Sequence, residues 1–322
     1  MPGNDGPSTD VIRPGALSAL LAELAHVPGD TGDSWSRTLR PGAVVGRFEL
    51  VRELGRGGFG VVYEARDREL GRTVAFKAVR SGQMREIREE RLLREAEAAA
   101  RLSHPNIVTL FDVGRCEDGP YLVLELLRGE TLGSRLAQGP VPLAEAVHLA
   151  AEVAKGLAHA HSQGIIHRDL TPGNVFLCGD GQVKVLDLGM AHAFGHRKID
   201  GGTPDFMAPE QAEGAPEDER TDVYALGVIL YRLLLGELPF PPAGKAGARR
   251  RPPPALEVPD APALGELVGR MLAERPVERP RDAAEVLATL REVERELEHS
   301  AGAPAAPVRR RRSPLRAGLA AL

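Results

Sequence analysis

The chain has 322 residues, 43% of them apolar and 27% charged, which excludes wholesale disorder and allows about two structural units. Lys and Arg total 41 against 45 Asp and Glu, a net charge of −4, so a protein whose work is coating nucleic acid is disfavoured and no nucleic-acid partner is expected. Cys116 and Cys178 have neither zinc-site nor disulfide-framework spacing, which suits a reducing, cytoplasmic compartment.

Residues 1–46 mix Gly, Pro, Ser and Asp, with Leu17, Leu20, Leu21 and Leu24 on one helical face, so a flexible extension with a short helix near 16–26 is expected. The N-terminus lacks a basic region followed by an apolar one, and no apolar run approaches the roughly 20 residues of a membrane span. No stable membrane insertion is therefore expected. From Phe48, RFELVREL, VVYEARD and TVAFKAV read as three antiparallel strands. Residues 84–102 hold strong helix formers without Gly or Pro and read as one long helix, and IVTLFDVG and YLVLELL add two strands. Beyond Gly129 helices are expected at 142–163, 221–236, 262–274 and 282–298, with short strands and loops over 165–189. The expected fold is α+β and two-lobed: a five-stranded antiparallel N-lobe sheet with one long helix over 47–127, and a mainly helical C-lobe over 128–298. Residues 239–262, rich in Pro, Gly and Arg, should be an exposed loop, and 299–322 a flexible basic tail open to weak contact with anionic lipid.

Three features carry chemistry. Gly55-Arg56-Gly57-Gly58-Phe59-Gly60 fits G-x-G-x-x-G, and because VVYEA continues as a strand rather than a helix, the loop is a flap between antiparallel strands. Lys77 lies fifteen residues after Val62 inside an apolar strand, in a chain where only five of 41 basic residues are lysine. A buried ammonium needs an anion, and Glu95, on a helix face with Leu92, Ala99 and Leu102, is the expected one. Finally, His167-Arg168-Asp169-Leu170-Thr171-Pro172-Gly173-Asn174 matches H-R-D-L-x-x-x-N, Asp187-Leu188-Gly189 follows thirteen residues after Asn174, and Ala208-Pro209-Glu210 closes the series.

In this order, these motifs make residues 48–295 resemble the eukaryotic-type protein kinase family, most like its bacterial serine/threonine branch. The resemblance implies transfer of the γ-phosphoryl of ATP to Ser or Thr hydroxyls of a protein substrate. Asp169 would accept the hydroxyl proton, Asn174 and Asp187 would hold Mg²⁺, Lys77 would pair with the α- and β-phosphates, and Glu95 would hold Lys77. Gly55, Gly57 and Gly60 would cover the phosphates, and Leu54, Val62, Ala75 and Phe176 would sandwich the adenine. Leu124 would guard the pocket and the Glu125–Leu127 backbone would bind the base. Thr203 would lie near the substrate pocket, with Asp222 and a Glu210–Arg279 pair as structural supports.

Two departures bear on rate. Thr171 stands where this branch usually carries a lysine beside the γ-phosphate, so slower chemistry is expected rather than none, and Leu188 replaces an aromatic plug. Between Asp187 and Glu210 the one hydroxyl side chain is Thr203. Arg168, which would receive a phosphorylated residue in that segment, must find another anion, and Asp200 is a candidate. His192 and His196 in the same segment would titrate near neutral pH. A pseudokinase, an ATP-binding scaffold without transfer, is the alternative reading. A small-molecule phosphotransferase is a third, opposed by Ala208-Pro209-Glu210.

Overall fold

The computed structural model describes residues 39–57, 60–79, 86–189, 204–240, 255–299 and 308–310. The first lobe runs β1 (Val44–Val45), β2 (Phe48–Gly57), β3 (Gly60–Asp67), β4 (Thr73–Val79), α1 (Glu86–Ala99), β5 (Leu110–Cys116) and β6 (Gly119–Glu125). Its strands form one antiparallel sheet in the order β1-β2-β3-β4-β6-β5. Alternation gives the sheet two dry faces. Val74, Phe76 and Ala78 point outward into a core with Phe48, Leu50 and Tyr63, where the Phe76 and Tyr121 rings stack at 4.7 Å. Ala75 points the other way, with Leu122 and Leu124, against Ala96 and Ala99 of α1.

The second lobe contains β7 (Gly129–Thr131), α2 (Leu132–Ala137), α3 (Leu143–Ser162), β8 (Val175–Cys178), β9 (Val183–Val185), α4 (Pro209–Glu213) and α5 (Glu219–Leu235), then β10 (Leu256–Glu257), α6 (Pro262–Met271), α7 (Ala283–His299) and β11 (Arg309–Arg310). Twelve of the seventeen residues of α5 are buried; a helix apolar around most of its circumference must be a lobe's centre. It starts at the Asp218 cap, whose carboxylate accepts from the Arg220 N–H, and stops at Gly236 in the left-handed conformation. α3 packs against α5 and α7. Gly156 lets α3 approach the first lobe closely, since a Cβ there would lie 2.7 Å from the Asn106 carbonyl oxygen.

Three expectations are corrected. The sheet has six strands, because Val44–Val45 pairs with Phe48 and Glu49. The first lobe reaches back past 47: Leu39 is buried, and its carbonyl accepts from the Tyr63 hydroxyl at 3.0 Å. The tail is not free throughout, since Arg309 and Arg310 pair with Glu257 and Leu256 and Arg310 bridges to Glu237 at 2.6 Å. The short helix near 16–26, residues 241–254 of the expected exposed loop, His192, His196, Asp200 and Thr203 lie outside the described residues.

Candidate active site

Lys77 and Asp187 are 110 residues apart in sequence and in contact in space. The Lys77 ammonium donates to both carboxylate oxygens of Asp187, at 2.8 and 2.7 Å. Ala75 and Lys77 share the inner face of β4, and Lys77 pairs in register with Val62 of β3 and Leu122 of β6. Its side chain is only 9% exposed, so the ammonium requires a partner. One partner is Asp187; Glu95, the partner expected from the sequence, lies half-buried on α1. Asp187, just beyond β9, brings two oxygens to a side chain that arrives from the sheet.

The loop after α3 is held by its backbone. Arg168 and Asp187 have φ of 68° and 52°, a left-handed conformation that costs a non-glycine residue about 1–3 kcal/mol and marks sites whose surroundings over-determine the chain. At Arg168 the surroundings are Asp222, which accepts from the backbone N–H of His167 at 2.7 Å and of Arg168 at 2.8 Å, and Gln211, whose amide donates to the Arg168 carbonyl at 2.8 Å. The Asp169 N–H donates to His167 Nδ1 at 3.3 Å. Asn174 Nδ2 donates to the Asp169 carbonyl at 2.7 Å, and the Asn174 carbonyl accepts from the Leu186 N–H at 2.9 Å. This last bond places Asn174 and Asp187 on one edge. Thr171 lies half-buried before the turn Pro172–Asn174, with its hydroxyl facing Gly173.

Asp222 is a structural support, as expected, and His161 is its further partner. The Ala283 N–H donates to His161 Nδ1 at 3.3 Å, so Nε2 carries the proton that faces Asp222 at 2.9 Å. Burial by itself raises the Asp222 pKa. The hydrogen bond and electrostatic pull of His161, the pull of His167 and the His167 N–H outweigh it and hold the carboxyl below its ordinary 3.8. The unfolded chain then takes up the proton at higher pH than the folded one, so the stabilisation is complete above 3.8 and drains away as pH falls through the depressed folded value. Urea unfolding of wild type and Asp222→Asn should show a gap that is constant between about pH 7 and 5 and narrows below about pH 4. A gap that widens in acid would contradict this assignment.

The residues expected around the adenine divide between two clusters. Leu54, Val62, Leu127 and Phe176 meet in one, joined by Leu186, Val108, Leu126 and Cys178. Ala75 and Leu124, paired across β4 and β6, pack with the α1 cluster instead, which Val108 also touches. Gly55 and Gly57 lie on β2 opposite Val62 and Gly60 of β3, so the flap is two strands, as expected, with 58 and 59 outside the described residues. Burial, then Asp180, pushes the Cys178 thiol up to about 11, which keeps it protonated and makes it part of the apolar wall.

Sequence reasoning missed several contacts. Leu186 was legible as the apolar residue before Asp187. Lys184 of β9, 2.8 Å from Glu125 Oε1, was signalled only by the scarcity of lysine. Nothing in the pattern pointed to Gln211 or to Glu217, whose carboxylate lies 3.4 Å from Arg168 Nε.

The family profile described as "Protein kinase domain" matches residues 48–289. The chain belongs to the protein kinase family. Among curated relatives, this kinase is 36% identical over 283 residues to the serine/threonine-protein kinase pkn3 of Myxococcus xanthus, covering 80% of this chain and 52% of that one. It is 37% identical over 280 residues to the serine/threonine-protein kinase PknB of Mycobacterium leprae, covering 81% and 44%. The chain therefore spans about half, or less, of the length of these relatives. Among solved structures, the PknI kinase domain of Mycobacterium tuberculosis superposes with a TM-score of 0.67 at 27% identity, over 79% of this chain and 98% of that one.

Proposed function

We propose that the protein is a serine/threonine protein kinase that transfers the γ-phosphoryl of ATP to a Ser or Thr hydroxyl of a protein substrate. The observation that carries this reading is the Lys77–Asp187 contact between the lobes, beside an Asn174 tied to both Asp169 and Leu186. Such transfer needs positioning and charge neutralisation more than covalent chemistry from the protein.

The donors suit magnesium. Asn174 and Asp187 offer hard oxygens, and no group of three or more His, Cys, Asp or Glu among the described residues forms an all-protein metal cage, in keeping with an ion that relies on phosphate oxygens for further ligands. When bound, Mg²⁺ neutralises charge on the phosphates. Lys77 would hold the α- and β-phosphates, and Asp169 would accept the proton of the attacking hydroxyl. Leu54, Val62, Ala75 and Phe176 would seat the adenine, with the Glu125–Leu127 backbone on its polar edge and Leu124 limiting depth. A cytoplasmic site of action belongs to the same proposal, resting on two free cysteines. No helix among the described residues is long and apolar enough to cross a membrane.

The test is incubation with γ-labelled ATP, magnesium and a generic basic protein bearing Ser and Thr. Label should appear as phosphoserine or phosphothreonine and vanish on chelation with EDTA. Nucleotide binding by the folded protein without any transfer would sink the reading in favour of a scaffold.

A further inference from the structure

Arg168 precedes the proposed catalytic Asp169 and holds a strained conformation, with φ of 68°. Its guanidinium is only 24% exposed and needs an anion. The stretch 188–202 contains no Ser, Thr or Tyr, so no phosphorylated side chain from it can serve. The anion the structure supplies comes from elsewhere. Glu217, 12% exposed, lies between α4 and α5 and sets its Oε2 3.4 Å from Arg168 Nε, a charge contact rather than an aligned hydrogen bond.

We propose that Glu217 is a positioning residue: a permanent carboxylate counter-ion that holds Arg168, and through it Asp169, in the transfer-competent arrangement without phosphorylation of the activation segment. The inference rests on the phosphotransferase reading above. Three contacts converge on Arg168 from chain that follows the activation segment. Gln211 takes its carbonyl, Asp222 its N–H and Glu217 its side chain. The first two fix the backbone, and only the third answers the charge. A phosphate in this role would come and go with an upstream signal. A carboxylate two residues before α5 is fixed to the lobe's central helix, so the arrangement is constitutive.

The test compares wild type, Glu217→Gln, Arg168→Gln and the double variant in steady-state transfer from ATP, with thermal melts of each. Removing the charge while keeping the shape should lower kcat about tenfold, with KM for ATP changed less than about twofold, because misplacing a reacting group costs rate rather than binding. The double variant should lose no more rate than Arg168→Gln alone, since the two side chains act as one unit. Should Glu217→Gln melt below the assay temperature, the double variant, which strands no charge, decides. A native melt with low kcat supports the proposal, and a wild-type kcat overturns it. Phosphatase treatment of wild type should leave activity unchanged. The inference fails alone if wild type is active and folded Glu217→Gln stays within about twofold of it, or if phosphatase abolishes activity with the lost phosphate mapped to 188–203. An inactive wild type overturns the phosphotransferase reading, and this inference with it.

Discussion

Asp169→Asn is expected to lower phosphoryl transfer by about 10²–10⁴-fold, the usual contribution of a positioned general base, while the melting midpoint moves by less than about 2 °C. The contrast follows from how the loop is built. The backbone of Asp169 is held by its neighbours: its N–H donates to His167 Nδ1 and its carbonyl accepts from Asn174 Nδ2, while Asp222 fixes the two residues before it. An amide of the same size keeps these backbone bonds and loses the capacity to take a proton. A large drop in melting temperature, or transfer within tenfold of wild type, would show that this carboxylate has a different task.

The second large effect concerns stability. Glu210→Ala should cost about 3–5 kcal/mol, because it strands a buried guanidinium, and should lower the melting midpoint by roughly 10 °C. Arg279 is fully buried and uses every N–H it has. Two donors go to Glu210, at 2.7 and 2.9 Å, and the others reach the carbonyls of Arg220, Glu274 and Ala273 at 3.1, 3.0 and 2.8 Å. Its plane also lies 4.8 Å from the Tyr224 ring centroid. Glu210 has a further partner in the Thr221 hydroxyl at 3.0 Å. Calorimetry of Glu210→Ala beside Glu210→Met/Arg279→Met separates the causes. The double variant should recover part of the loss by removing the stranded charge, but not all, since three carbonyls then lack a donor. A single-variant loss below about 1 kcal/mol would mean that water reaches the arginine.

Much of this architecture was readable from residue order. Strand alternation, the Gly-rich flap and the long helix each follow from local chemistry, and the family resemblance carried by the motifs around Lys77, Asp169, Asn174 and Asp187 implied that they share one cleft. The direct contact of Lys77 with Asp187 was not readable, because it depends on where Asp187 places its oxygens, a matter of backbone conformation at a single left-handed residue. Ala75 was legible as the apolar residue two before Lys77, but its pairing with Leu124 across β4 and β6 and the packing of both with the α1 cluster were not. The sixth strand was missed because two residues carry too little alternation to register. Glu217 was invisible for a related reason: a charged residue in a Pro- and acid-rich turn reads as solvent-facing, and only the fold brings Arg168 beneath it.

One last consequence lies in the stretch between α1 and β5. Val108 donates to the Val185 carbonyl and Val185 to that of Asn106, at 3.0 and 2.9 Å, in a parallel bridge centred on Ile107. Asn106 also donates to Glu152 and to the Val183 carbonyl, both at 2.8 Å, and Lys184 grips Glu125. The sheet is thus hung like a door, with its jamb at the root of β5 and the end of β6 and its free edge at the turn between β2 and β3. Rotation about that jamb would sweep the glycines through the widest arc and move the end of β6 least, so a nucleotide bound as proposed would be gripped by its phosphates without being shifted at its ring.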